Sequence, residues 1–191
     1  SFMDIVGLSF SVYMNHFIPF FVIALVPQLP TLIGEVATLA NGNELNSWEL
    51  YPHGSLALII VLDQFPRNIY RGKPRAYAYD ERALPLCKKG IASCADRELG
   101  IIERTFFYMP LEHAENIDAQ NMSVSCFEQL HSEAPEEIKP ITEEAVQHAI
   151  AHRDIIQRFG RFPHRNPAMN RVSTRAEREW FAVNPSTYGQ N

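Results

Sequence analysis

A short polar segment occurs twice in this chain. Leu62-Asp63-Gln64-Phe65-Pro66-Arg67-Asn68 closes one apolar run, and Phe162-Pro163-His164-Arg165-Asn166 follows a second helix-like run far downstream. Charged groups at the ends of apolar segments need partners if they are buried. The two segments are therefore expected to face each other. With polar residues that fall on apolar stripes they define a candidate pocket of Asp63, Gln64, Arg67, Asn68, His113, Gln120, Arg153, His164, Arg165 and Asn166. Its arginines have the planar fork that clamps a carboxylate or phosphate, so the expected ligand is a small anion. A purely structural reading competes: Asp63 pairs with an arginine, and the asparagines cap helix ends.

Other chemistries are weaker. Glu112, His113, Glu115 and His152, with Asp63, are ligand types suited to zinc, manganese or iron in a metal-dependent hydrolase. His148 and His152 have the spacing of a helical metal pair, but no glutamate follows His148 as the zinc-protease motif requires. Neither a Gly-x-Ser-x-Gly elbow nor a glycine-rich phosphate loop is present. Neither a bound metal nor any other cofactor is expected, and the sequence assigns no catalytic residue. A helical scaffold for a peptide or protein partner is a further alternative.

The elements that must position these residues read as helices. Residues 31–40 lie between Pro30 and the cap signal Asn41-Gly42. Leu56 to Leu62 is apolar on every side; it is read as helix because no other segment supplies strands. Pro66 is expected to end that helix near Gln64. Further helices are expected over 74–89, from Asp96 to Met109, from Pro110 to about Ser132, and from Thr142 to Gly160. Residues 113, 117, 120, 124 and 127 are expected to share one face. So are Val146, Ala149, Ile150, Arg153 and Ile156, which points Arg153 at the core or a cleft. Asp154 and Arg158 have the spacing of a surface ion pair. Ser173-Thr174-Arg175-Ala176-Glu177 has the pattern of a capping box for a last helix to about Val183. The architecture is all-α, in antiparallel helical hairpins.

Composition sets the outer bounds. At 191 residues, 46% hydrophobic and 20% charged, the chain can bury a core and is not disordered. The net charge of -5 argues against nucleic-acid binding. Residues 1–66 hold no lysine or arginine, so all 17 basic residues lie from Arg67 onward, where an anion would be drawn. Arg71, Lys73 and Arg75 read as a solvated patch. Three cysteines at spacings matching no zinc or redox pattern read as reduced thiols in a cytoplasmic protein. Residues 5–34 carry no Asp, Glu, Lys or Arg. Membrane association through that stretch is the alternative location, opposed by Pro19, Pro27 and Pro30 and by the absence of flanking basic residues.

Three runs carry a family resemblance: Leu58-Ile59-Ile60-Val61-Leu62-Asp63-Gln64-Phe65-Pro66-Arg67-Asn68-Ile69-Tyr70-Arg71-Gly72, Phe106-Phe107-Tyr108-Met109-Pro110-Leu111-Glu112-His113-Ala114-Glu115, and His152-Arg153-Asp154-Ile155-Ile156 on to Asn166. In this order they resemble the bacterial family called domain of unknown function 924, over residues 45–182. The resemblance implies an all-helical fold of tetratricopeptide-repeat-like type and no established activity. Two departures stand out. Ala114 occupies a position where the family usually has serine, and the first 40 residues do not resemble the family's usual opening. The chain accordingly divides into a divergent apolar segment (1–44), a helical domain (45–183) and a tail (184–191).

Overall fold

The computed structural model of the chain describes residues 29–42 and 44–184. Among the described residues every regular element is helical. In chain order these are α1 (Leu29–Asn41), α2 (Pro52–Ile59), α3 (Phe65–Ile69), α4 (Asp80–Ala92), α5 (Ile101–Glu112), α6 (Ile117–Glu133), α7 (Lys139–Phe159) and α8 (Arg175–Val183). Short 3-10 turns at Asn46–Leu50, Pro74–Tyr77, Ala95–Glu98 and Pro163–Arg165 link them. Helices α5, α6 and α7 pack on one another in sequence through short connections, which makes neighbours antiparallel.

The centre of the molecule is the apolar run of α2. Gly54 to Ile59 are all buried, as are Ile60 to Gln64 beyond them. A helix apolar on every side must be enclosed, and α1, α4 and α5 pack around this one and its continuation. Leu58, Ile59, Val61 and Leu62 join Phe107, Leu111, Phe127 and Leu130 in the main core. Burying each such side chain contributes about 1.5–3 kcal/mol.

The helix does not stop at Gln64. Ile60–Gln64 form a π-helical turn, closed by the Phe65 N–H donating to the Ile60 carbonyl, and α3 carries on from there with Pro66 in its first turn. Proline has no N–H to return and crowds the carbonyl four residues back. A widened turn directly before it accommodates both defects.

Other boundaries also move. Pro110 lies inside α5, whose burial of Phe106, Phe107, Tyr108 and Leu111 outweighs one missing hydrogen bond. Asp96 does not cap that helix but is buried, accepting from the Tyr108 hydroxyl at 2.5 Å. The actual break falls at 113–116, where the Asn116 side chain accepts from the Ala119 N–H to start α6. His113 therefore sits off the α6 face, and Ile117 is exposed while Gln120, Val124 and Phe127 are buried. The 74–89 helix is a 3-10 turn followed by α4, which carries Pro85 inside it. Gly160 ends α7 with a left-handed φ of 69°, and Thr174 with Glu177 forms the expected capping box.

No helix among the described residues is long and apolar enough to cross a membrane. Most of the apolar run over 5–34 lies outside the described residues.

Candidate functional site

The π turn delivers Asp63 into the interior, 1% exposed. Its carboxylate meets three donors: Arg67 Nη1 at 2.9 Å from Oδ1, the Gln64 amide on Oδ2, and His113 Nδ1 at 2.9 Å from both oxygens. Burial alone would push Asp63 upward, but Arg67 and His113 outweigh it and hold the group at about 2. Arg67 turns its other side to Asp80 at the start of α4, in a two-pronged contact of 2.9 and 2.8 Å.

Arg165 reaches the same place from the second segment. Its Nη2 donates to the main-chain oxygen of His113 at 2.9 Å, and its Nη1 lies 3.6 Å from Asp80 Oδ2. The guanidinium is flanked by the rings of Tyr77 at 4.7 Å and Phe162 at 4.5 Å. Burial, then the charge of Arg67, lowers Arg165 to about 10. The two segments thus meet through Asp80 and His113.

Glu115 anchors the second segment. It accepts the Phe162 N–H at 2.8 Å and both prongs of Arg171 at 2.6 and 2.9 Å. Beside the cluster, Glu112 lies 3.1 Å from His152 Nδ1, which also contacts the His148 carbonyl at 2.9 Å. Burial, with the Asp63 charge, raises Glu112 to about 8, while burial lowers His152 to about 3. Near neutrality the contact joins two uncharged groups. Burial and Arg165 also lower His164, half-buried against Phe162, to about 3.

The remaining sequence candidates go elsewhere. Asn68 donates along its own helix to the Gln64 carbonyl at 3.0 Å. Asn166 is fully buried but serves Ser173 and Glu177, at 3.1 and 3.3 Å, next to the cap of α8. Gln120 is fully buried and donates to the carbonyls of Glu112 and Ala114 at 2.6 and 2.8 Å, closing the end of α5. Arg153 does not point into the core: it is partly exposed and pairs with Asp154, while His152 takes the inward position. The expected Asp154 to Arg158 pair is thereby replaced, and Arg158 lies over the Phe159 ring. His148 presents its ring to Glu144. Among the described residues no group of three or more His, Cys, Asp or Glu is placed to hold a metal ion.

Sequence reading missed Asp80 and Tyr77, the residues both arginines share. Asp80 opens α4 in Asp80-Glu81-Arg82, where an acid already suits the helix dipole, so nothing marks it as a counterion.

The model of the bacterial family of proteins of unknown function DUF924 matches residues 28–184. The chain belongs to the DUF924 family. The match takes in α1 as well as the three runs that carry the resemblance. A solved structure of a protein of unknown function from Agrobacterium tumefaciens is 35% identical to this DUF924 chain, covers 82% of each chain and superposes with a TM-score of 0.70. No curated protein matches the chain. In this DUF924 protein the Ala114 position is buried and engaged through its backbone by Gln120.

Replacing Gln120 by leucine is expected to destabilise the protein by about 1–3 kcal/mol, because the carbonyls at the end of α5 lose their donor inside the protein. Urea unfolding measures this. A loss below about 0.5 kcal/mol would show that the α5 terminus does not depend on Gln120.

Proposed function

We propose that this DUF924 protein binds a small carboxylate or phosphate where Arg165, Arg67 and His113 converge. The observation that supports it most is the state of Arg165. This guanidinium is 5% exposed, its contact to Asp80 is long, and Asp80 already engages the fork of Arg67. Among the described residues, Arg165 Nε has no acceptor. A buried cation whose counterion is shared, with a donor left over, costs free energy that a bound anion would recover. The Tyr77 and Phe162 rings offset part of that cost and hold the guanidinium in one plane, ready for two-pronged binding. Access would come past the partly exposed Asp80, His113 and His164.

Thermal unfolding at constant ionic strength tests the reading, with inorganic phosphate and acetate compared against chloride. A saturable rise in Tm is expected for one of them, equivalent to about 2.7 kcal/mol at a hundredfold excess over Kd. Arg165→Lys, which keeps the charge and loses the fork, is expected to remain folded and to lose the response. If neither anion gives a saturable shift in wild type, the cluster is a structural clasp.

A further inference from the structure

We infer that Asp63 and His113 form a proton-accepting dyad at the edge of this anion site. Asp63 fixes the ring with its Nδ1 protonated and leaves Nε2 as a base for an O–H of the bound anion or of a water beside it. The inference rests on the anion-binding reading for its ligand, but its geometry stands independently. His113 Nδ1 is 2.9 Å from both oxygens of a carboxylate held ionised, so Nδ1 donates. Nε2, on the opposite edge of the ring, points away from Asp63. The side chain is 18% exposed, and among the described residues no hydrogen bond engages Nε2.

Asp63 itself has no room for another partner. Arg67, Gln64 and His113 already occupy its two oxygens, so it acts by positioning the ring and by balancing the charge that a proton would bring. The groups around the ring complete the arrangement. Arg67 comes from α3, Arg165 and His164 from the second segment, Glu112 from the end of α5, and His152 from α7, its ring centroid 6.5 Å away. Burial and then Arg67 lower His113, which keeps it neutral and able to accept at neutral pH. The Arg165 guanidinium donates to the main-chain oxygen of His113, so anion and base would share one residue's surroundings.

In the transfer, the ligand or water O–H bond breaks and its electron pair stays on oxygen. The proton joins Nε2, the imidazolium faces the Asp63 carboxylate, and the proton returns when the ligand leaves. The ligand class is a small carboxylate or phosphate that carries, or binds beside, an ionisable hydroxyl.

Two measurements on the intact chain test the dyad. Nitrogen-15 NMR of histidine-labelled protein is expected to show His113 as the Nδ1–H tautomer in wild type, with loss of that signature in Asp63→Asn. Diethyl pyrocarbonate at neutral pH, mapped by mass spectrometry, is expected to modify His113, and inorganic phosphate or acetate, whichever raises Tm, to slow that modification. A wild-type Nε2–H tautomer, or a His113 that stays unmodified while exposed His148 reacts, would overturn the dyad. Modification of the expected tautomer without protection by either anion supports the dyad and removes the anion reading alone.

Discussion

Asp63→Ala is expected to lower the unfolding free energy by about 3–5 kcal/mol, the range for breaking a buried ion pair by removing one partner. Three side chains lose their common acceptor at once. His113 loses its Nδ1 partner among the described residues, the Gln64 amide is left facing a void, and Arg67 retains Asp80 and the main-chain oxygen of residue 63. Asp63→Asn should cost less, because an amide keeps the volume and one oxygen for Arg67. Urea unfolding of the three proteins at pH 7 provides the comparison. A loss below about 1 kcal/mol for the alanine variant would mean that Asp63 is not the hub of the cluster.

The second large effect is on pH. Wild-type stability is expected to fall by about 2 kcal/mol between pH 6.5 and 8, and Glu112→Gln to remove most of that fall. Glu112 titrates at about 8 in the folded protein and at its ordinary 4.5 when unfolded. Across that interval the folded state holds a proton the unfolded state has released, so this contribution is lost as pH rises and gone above 8. His152 acts oppositely: lowered from 6.5 to about 3, it contributes stability that is complete above 6.5 and lost as pH falls. His164 behaves in the same sense. The histidines therefore oppose Glu112 below 6.5 and are silent above it, which leaves the upper window to Glu112. Glutamine keeps the uncharged hydrogen-bonding group and removes the titration. Parallel stability profiles for the two proteins would refute this assignment.

What could be read from the residues, and what could not, divides along physical lines. Asp63, Arg67, His113 and Arg165 were legible because charge in an apolar context demands a partner, and the repeated Phe-Pro marks where the partners are. Arg153 was misplaced by one position: the hydrophobic stripe of α7 accepts either Arg153 or His152 as an inward residue, and only packing decides. Pro66 and Pro110 were read as helix ends because local rules charge the whole cost of proline to the helix. In the folded chain a π turn and a well-buried α5 absorb it. Asp80 was invisible, since a helix-opening acid carries no sign of its distant arginines. The all-helical class depended on none of these details and emerged intact.

The π turn also makes the geometry of the cluster depend on chain length as well as on side-chain identity. Such a turn holds one residue more than regular α-helix requires, and each residue of α-helix advances about 100° around the axis, from 3.6 residues per turn. Deleting a single residue between Ile60 and Leu62 would restore a regular ladder and leave α2 and α3 nearly in phase, because the wide turn absorbs the surplus residue. The residues inside the turn, Asp63 among them, would nevertheless move around the axis by part of that angle. The apolar residues of α2 would still find a core, while the carboxylate would no longer face His113. A frame-preserving loss of one codon could therefore silence the cluster more completely than most substitutions within it.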